Sequence, residues 1–236
     1  MNTESKDQSV DVPQAHPAAI EVDSLTVSYG PVPALLDVSL KIPVGELTGV
    51  IGPNGSGKST LVKALLGFLR PDFGTIRLFG ESIEQSKGRV AYVPQRGSVD
   101  WDFPVTVREV ALMGRYGRAP WWKSLRPEDY EIADEALEMV RMTPFRDRQI
   151  GQLSGGQQQR AAIARALYME PKILLADEPT GSLDERNAEA VMRLLTSLAR
   201  QLECTLLLVT HSEKVAEHME GRIRLQGGQL HVMARS

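Results

Sequence analysis

Short apolar runs, alternating or rich in β-branched residues, recur along the chain at 19–29 (AIEVDSLTVSY), 46–52 (ELTGVIG), 88–93 (GRVAYV), 172–177 (KILLAD) and 205–210 (TLLLVT). The last two are almost continuously apolar, as strands covered on both faces of a parallel sheet must be. Stretches of helical period lie among them, at 58–69, 127–142, 155–169 and 185–202. Strand–helix alternation of this kind predicts an α/β fold. From about 96 to 165 the rhythm breaks and the pattern is mostly helical, which predicts a separate lobe within one domain spanning 19–236. The end of the chain, GRIRLQGGQLHVM, reads as a hairpin turning at Gly227 and Gly228.

Composition narrows the class of protein. The 236 residues are enough for one large domain, and 42% hydrophobic content is ordinary for a globular chain. No apolar run approaches the roughly 20 residues that cross a bilayer. Residues 1–18 are polar and proline-containing, without the cationic start and apolar stretch of a signal peptide, and read as a disordered lead-in. A net charge of −3 with dispersed basic residues argues against nucleic acid as a partner. Cys204 is the only cysteine, so no internal disulfide forms, and its apolar context reads as a small core residue. His16, His218 and His231 have no metal-ligand spacing.

The run GPNGSGKST, comprising Gly52, Pro53, Asn54, Gly55, Ser56, Gly57, Lys58, Ser59 and Thr60, fits the phosphate-loop pattern G-x-x-x-x-G-K-[ST]. An apolar strand precedes it and a helical stretch follows. The glycines let backbone N–H groups turn inward around phosphate oxygens, and the helix N-terminus and Lys58 supply positive charge. The Ser59 hydroxyl is placed to ligate Mg²⁺. These residues predict a bound nucleotide.

A second acidic element completes that chemistry. KILLADEPT ends a hydrophobic strand in Asp177, at the carboxyl edge where a phosphate loop also sits. Asp177 can hold Mg²⁺ through a water, and Glu178 can polarise a water attacking the γ-phosphate. Such hydrolysis needs positioning and charge neutralisation more than covalent chemistry. Gln95 ends a strand in YVPQR, where its amide can reach the Mg²⁺ or the water.

The octapeptide LSGGQQQR (153–160) has no acid, base, thiol or metal ligand, and alone it reads as an ordinary helix start capped by serine. Its place in a series changes that reading: phosphate loop, Gln95, LSGGQ, Asp177–Glu178, Ser182-Leu183-Asp184, then His211 after an apolar strand. In this order, over about 19–228, the chain resembles the ATP-binding subunits of the ABC transporter family. The resemblance implies a P-loop ATPase with a RecA-like core sheet, an N-terminal antiparallel β subdomain and an inserted helical subdomain. It implies that two copies pair head to tail, so that Ser154, Gly155, Gly156 and Gln157 cap the ATP held by the partner copy. It further implies that Tyr29 stacks on adenine, that His211 contacts the γ-phosphate, and that Asp184 links the two sites.

The same resemblance implies separate membrane permease subunits, an extracytoplasmic substrate-binding protein, and a peripheral place on the cytoplasmic face of the cell membrane. Residues 92–118 and 145–157 look like the manganese, zinc or iron importer branch. Trp101 and Phe103, with Pro104, suit docking of a short helix from a membrane partner, or else pack within the lobe together with Trp121 and Trp122. The run DEPTGSLDERN is closer to ATPases of lipoprotein-release or cell-division complexes, which leaves the cargo open. A soluble ABC ATPase, of the iron–sulfur assembly type above all, remains a competing reading.

Overall fold

The computed structural model describes residues 18–95, 103–117 and 124–232. The proposed lead-in falls outside these residues except for Ala18, which opens a strand rather than ending a tail. Trp101, Trp121, Trp122 and His16 also lie outside them.

Two sheets organise the chain. β1 (Ala18–Tyr29), β2 (Val32–Pro43) and β4 (Phe73–Leu78) form an antiparallel sheet in the order β2-β1-β4. β3 (Leu47–Ile51), β5 (Val90–Val93), β6 (Ile173–Asp177), β7 (Thr205–Thr210), β8 (Gly221–Gln226) and β9 (Gln229–Val232) form the second sheet, in the order β5-β6-β7-β3-β8-β9. Its strands pair in parallel except for the β8–β9 hairpin. That hairpin turns at Gly227 and Gly228, both at positive φ, as a two-residue turn requires.

Side-chain alternation along the parallel strands divides the core in two. Leu174, Ala176, Leu206 and Leu208 point to one face, where they join α3 (Val107–Leu112), α4 (Pro127–Met139), α5 (Gly155–Leu167) and α6 (Glu185–Gln201). Ile173, Leu175, Leu207 and Val209 point to the other, where they meet α1 (Lys58–Leu65) and the inner side of β1 and β2. Every residue of β3, β6 and β7 is buried, which explains the unbroken apolar runs. Two short helices complete the set: α2 (Ile83–Ser86) and α7 (Glu213–Ala216).

The helical stretch around α3 and α4 shares its apolar interior with one sheet face. Val107, Ala133, Leu137 and Val140 belong to the same buried cluster as Ala91, Val93 and Leu174.

Several boundaries differ from the periodicity. α1 stops at Leu65 rather than 69 because Gly67 takes φ of 74°, which reverses the backbone. α4 stops at Met139 rather than 142, with Arg141 left-handed at φ 58°. The Met142 and Arg141 amides then donate to the Leu137 and Glu138 carbonyls at 2.8 Å each, and this paired closure ends the helix. β2 and β4 are absent from the sequence reading, although VSLKI alternates as an edge strand should.

Candidate functional site

The site lies where four neighbouring strands of the large sheet end. β3 runs into the phosphate loop, β5 leads to Gln95, β6 ends in Asp177 and β7 leads to His211. Because these strands are parallel, Ile51 pairs with Thr210 and Asp177 with Val209, and all four carboxyl ends share one edge. A cleft of about 570 Å³ there is lined by Tyr29, Asn54, Gly55, Gly57, Lys58, Ser59, Thr60, Gln95, Glu178 and His211. Ala34 and Gly181 complete the lining.

The loop needs its glycines for defined reasons. A Cβ on Gly52 would lie 2.2 Å from the Leu225 carbonyl oxygen, so the loop passes too close to β8 for any side chain. Gly57 sits at φ 104° directly before α1, where a Cβ would also strike the Ala34 carbonyl at 2.5 Å. This conformation aims the first N–H groups of α1 at the cleft, which suits an anion. The Ser56 hydroxyl is buried without a hydrogen-bond partner among the described residues.

Charge is concentrated at the base of the cleft. The buried Lys58 ammonium donates to the Gly52 and Pro53 carbonyls at 2.8 and 3.0 Å, and lies 3.4 Å from the Glu178 carboxylate. The other Glu178 oxygen is 2.6 Å from His211 Nδ1. Glu178 itself has φ of 47°, a costly conformation for a glutamate that the surrounding bonds hold in place. Its amide donates to Val209 and its carbonyl accepts from Gly181.

The Ser59 hydroxyl donates to Asp177 Oδ1 at 3.2 Å. Burial pushes the Asp177 carboxyl above its usual range, the Glu178 charge adds to this, and the Ser59 hydrogen bond opposes it. A hydroxyl beside a carboxylate that is reluctant to ionise without a counter-charge is a hard-oxygen donor set, and Mg²⁺ fits it. Among the described residues no three His, Cys, Asp or Glu side chains are grouped so that they alone could hold a metal ion. A cation here would therefore complete its shell with phosphate oxygens and water.

Tyr29 stands at the rim of the cleft, 51% exposed rather than packed in the core. Ser154, Gly155, Gly156, Gln157 and Asp184 lie outside the cleft's lining. Ser154 caps α5: its hydroxyl accepts from the Gln157 amide, while its own amide donates to Gln157 Oε1 at 2.9 Å. Asp184 caps α6 and accepts from the Asn187 amide at 3.0 Å, a bond that holds its carboxyl below the usual range.

Three residues in this region were missed by sequence reasoning. Asn187 stands against Gly156 so closely that a Cβ there would lie 2.8 Å from Asn187 Oδ1, which ties the start of α5 to the start of α6. Gln158 and Gln159 look like surface residues in LSGGQQQR but are buried. Gln158 donates to the Ile150 carbonyl, and Gln159 donates to the Pro94 carbonyl next to Gln95. Nothing local to LSGGQQQR marks them as buried, because the carbonyls they bond lie on other segments.

The profile of the ABC transporter family matches residues 35–181. The chain is 46% identical over 198 residues to the manganese transport system ATP-binding protein MntB of Bacillus subtilis, covering 84% of this chain and 79% of that one. It is 47% identical over 205 residues to the zinc transport system ATP-binding protein TroB of Treponema pallidum, covering 86% and 76%. Among solved structures, an ATP-binding cassette of an ABC transporter in its ADP conformation superimposes with a TM-score of 0.84 at 27% identity, covering 93% of this chain and 91% of that one. A dimeric cassette bound to ADP and phosphate gives a TM-score of 0.77 at 32% identity, covering 92% and 98%. With its phosphate loop, acidic strand end and histidine gathered at one sheet edge, this chain belongs to the ABC transporter family and is one of its ATP-hydrolysing subunits.

Proposed function

We propose that this chain drives uptake of a divalent metal, manganese, zinc or iron, through separate membrane permease subunits fed by an extracytoplasmic substrate-binding protein. One observation carries the ATPase half of this reading: Lys58, Ser59, Asp177, Glu178 and His211 converge at one sheet edge. The metal cargo rests on relatives named for manganese and zinc transport.

The contacts among Lys58, Ser59, Asp177, Glu178 and His211 support the following chemistry, and the family resemblance supplies the rest. ATP phosphates occupy the loop from Gly52 to Thr60, where they replace Glu178 as the counter-charge of Lys58. Ser59, Asp177 and Gln95 are the residues that would hold Mg²⁺, which would neutralise the phosphate charge. Glu178, released from Lys58, takes a proton from water as the water oxygen bonds to the γ-phosphorus and the bond to the bridging oxygen, which leaves on ADP, breaks; His211 orients that carboxylate through Nδ1. Tyr29 stacks on the adenine. A second copy of the chain brings Ser154 and the amides of Gly155, Gly156 and Gln157 to the γ-phosphate, with Asp184 linking the paired sites. Nucleotide thus closes the dimer and hydrolysis reopens it.

The membrane subunits dock beside Gln95. On β5, the strand that leads to Gln95, a groove of about 390 Å³ is lined by Lys87, Tyr92, Met113, Tyr116, Arg165 and Met169 among others. Phe103 and Tyr116 are largely exposed, as unpartnered docking aromatics are. No helix among the described residues is long and apolar enough to cross a membrane. In this reading the permease subunits hold the chain at the cytoplasmic face of the membrane.

The test is uptake of radioactive manganese, zinc and iron by cells lacking this chain, complemented with wild type or Glu178→Gln. Uptake of one metal that returns only with wild type supports the proposal and names the cargo. Uptake independent of the chain for all three metals overturns the cargo and favours a release or export role, for which the run DEPTGSLDERN is the motive.

A further inference from the structure

The helix that carries Ser154 is anchored at its far end by a buried ion-pair network with no place in the hydrolytic chemistry above. Arg115 and Tyr168 are almost wholly buried, and Asp129 is 9% exposed. Arg115 Nε lies 3.0 Å from Asp129 Oδ2, and Arg115 Nη2 donates to the Ser124 carbonyl at 3.0 Å. The Tyr168 hydroxyl donates to Asp129 Oδ1 at 2.9 Å, and the Arg126 amide donates to Asp129 Oδ2 at 2.8 Å. These bonds join the end of α5, the start of α4 and the 3₁₀ turn Met113–Gly117.

Packing at the same point is equally tight. A Cβ on Gly114 would lie 2.3 Å from the Arg165 carbonyl oxygen and 2.6 Å from Tyr168 Cβ, so the backbone at 114 is pressed directly against the last turn of α5. Charge burial is a poor source of stability, because desolvating the ions offsets most of their attraction, whereas close contacts among several buried groups hold one geometry. The α5 helix runs from Gly155 to Leu167 and is about 20 Å long, with Ser154 at one end and this network at the other.

We infer that Arg115, Asp129 and Tyr168 are positioning residues that set the angle of α5, and hence the place at which Ser154 meets the nucleotide on the second copy. Met113 and Tyr116, on either side of the clamped pair, line the docking groove. The clamp therefore ties α5 to the surface on which membrane subunits act. The inference rests on the proposed role of Ser154 in trans.

The test measures nucleotide affinity and kcat separately on the purified full chain, for Tyr168→Phe, Asp129→Asn and Ser154→Ala. Tyr168→Phe keeps the ring and removes only the hydroxyl, so it is read even where Asp129→Asn fails to fold. The clamp predicts ATP affinity within about twofold of wild type, with kcat lowered about tenfold or more, since small misplacements of a transition-state donor are costly. Wild-type kcat in folded Tyr168→Phe, or a parallel loss of affinity and kcat, overturns the clamp while a kcat loss in Ser154→Ala leaves the trans role standing. Unchanged kcat in Ser154→Ala removes the trans role itself, and the positioning argument with it.

Discussion

Asp177 and Glu178 are adjacent, yet the structure gives them different duties through their surroundings. Glu178 is held between a lysine and a histidine, whereas Asp177 receives one hydroxyl and has a raised pKa caused chiefly by burial. The sign of the consequence is fixed. An acid whose folded pKa exceeds its unfolded value costs stability once pH rises above the unfolded value, and the full penalty is present above the folded one. Asp177→Asn removes that penalty at neutral pH. The variant is therefore expected to melt higher than wild type at pH 7 without Mg²⁺ and nucleotide, and to lose both hydrolysis and the stabilisation that Mg²⁺-ATP gives wild type. Thermal melts with and without Mg²⁺-ATP check this, and a lower melting temperature in the absence of ligand would show that the Ser59 bond outweighs desolvation. At this scale the sequence was informative: GPNGSGKST and the DE pair each carry their chemistry in local spacing. The positive φ of Glu178 and the burial of Gln158 and Gln159 were not legible, because both depend on what packs around them.

Elements are specified by pattern, and their ends by single residues that pattern does not weigh. The strands of the large sheet and the long helices follow from apolar periodicity, whereas Gly67 stops α1 and a left-handed Arg141 stops α4. Contacts between elements are set by approach distances invisible in one dimension. Gly114 illustrates this, since nothing in LMGRYG announces that α5 will lie against its Cα. Gly114→Ala is expected to destabilise the fold by about 1–3 kcal/mol, the range for overpacking a tight interface, and to lower kcat by displacing α5 more than it lowers ATP affinity. Denaturant unfolding with parallel binding and turnover assays measures both effects. A fully stable variant would mean that α5 shifts without cost.

At the scale of the whole molecule, the proposed function assigns part of the hydrolytic machinery to residues that stand outside the cleft. Ser154 and Asp184 cap their helices outside the cleft formed by Lys58, Glu178 and His211. Two inactive variants make this testable: Lys58→Ala spoils the phosphate loop, and Ser154→Ala spoils the cap. A mixed dimer has one site with both defects and one with neither, so mixing the two proteins is expected to restore turnover that neither shows alone. Absence of any recovery, with mixed dimers demonstrated by cross-linking, would place Ser154 in cis.

The sequence by itself determined the ingredients: the strands of the large sheet, the helices α1, α4, α5 and α6, the phosphate loop, the acidic strand end and the family to which they point. These are local, set by spacing over a few residues and by backbone freedom at glycine. The tertiary structure alone decided which ingredients meet. Ser59 reaches Asp177 across 118 positions of sequence because β3, β7 and β6 lie side by side in parallel register, which brings their carboxyl ends to one edge. The same register assigns alternate leucines of β6 and β7 to opposite faces, so that one face receives α1 and the other receives α5 with its buried clamp. Strand pairing and close approach are relations between distant residues, and only the folded chain expresses them.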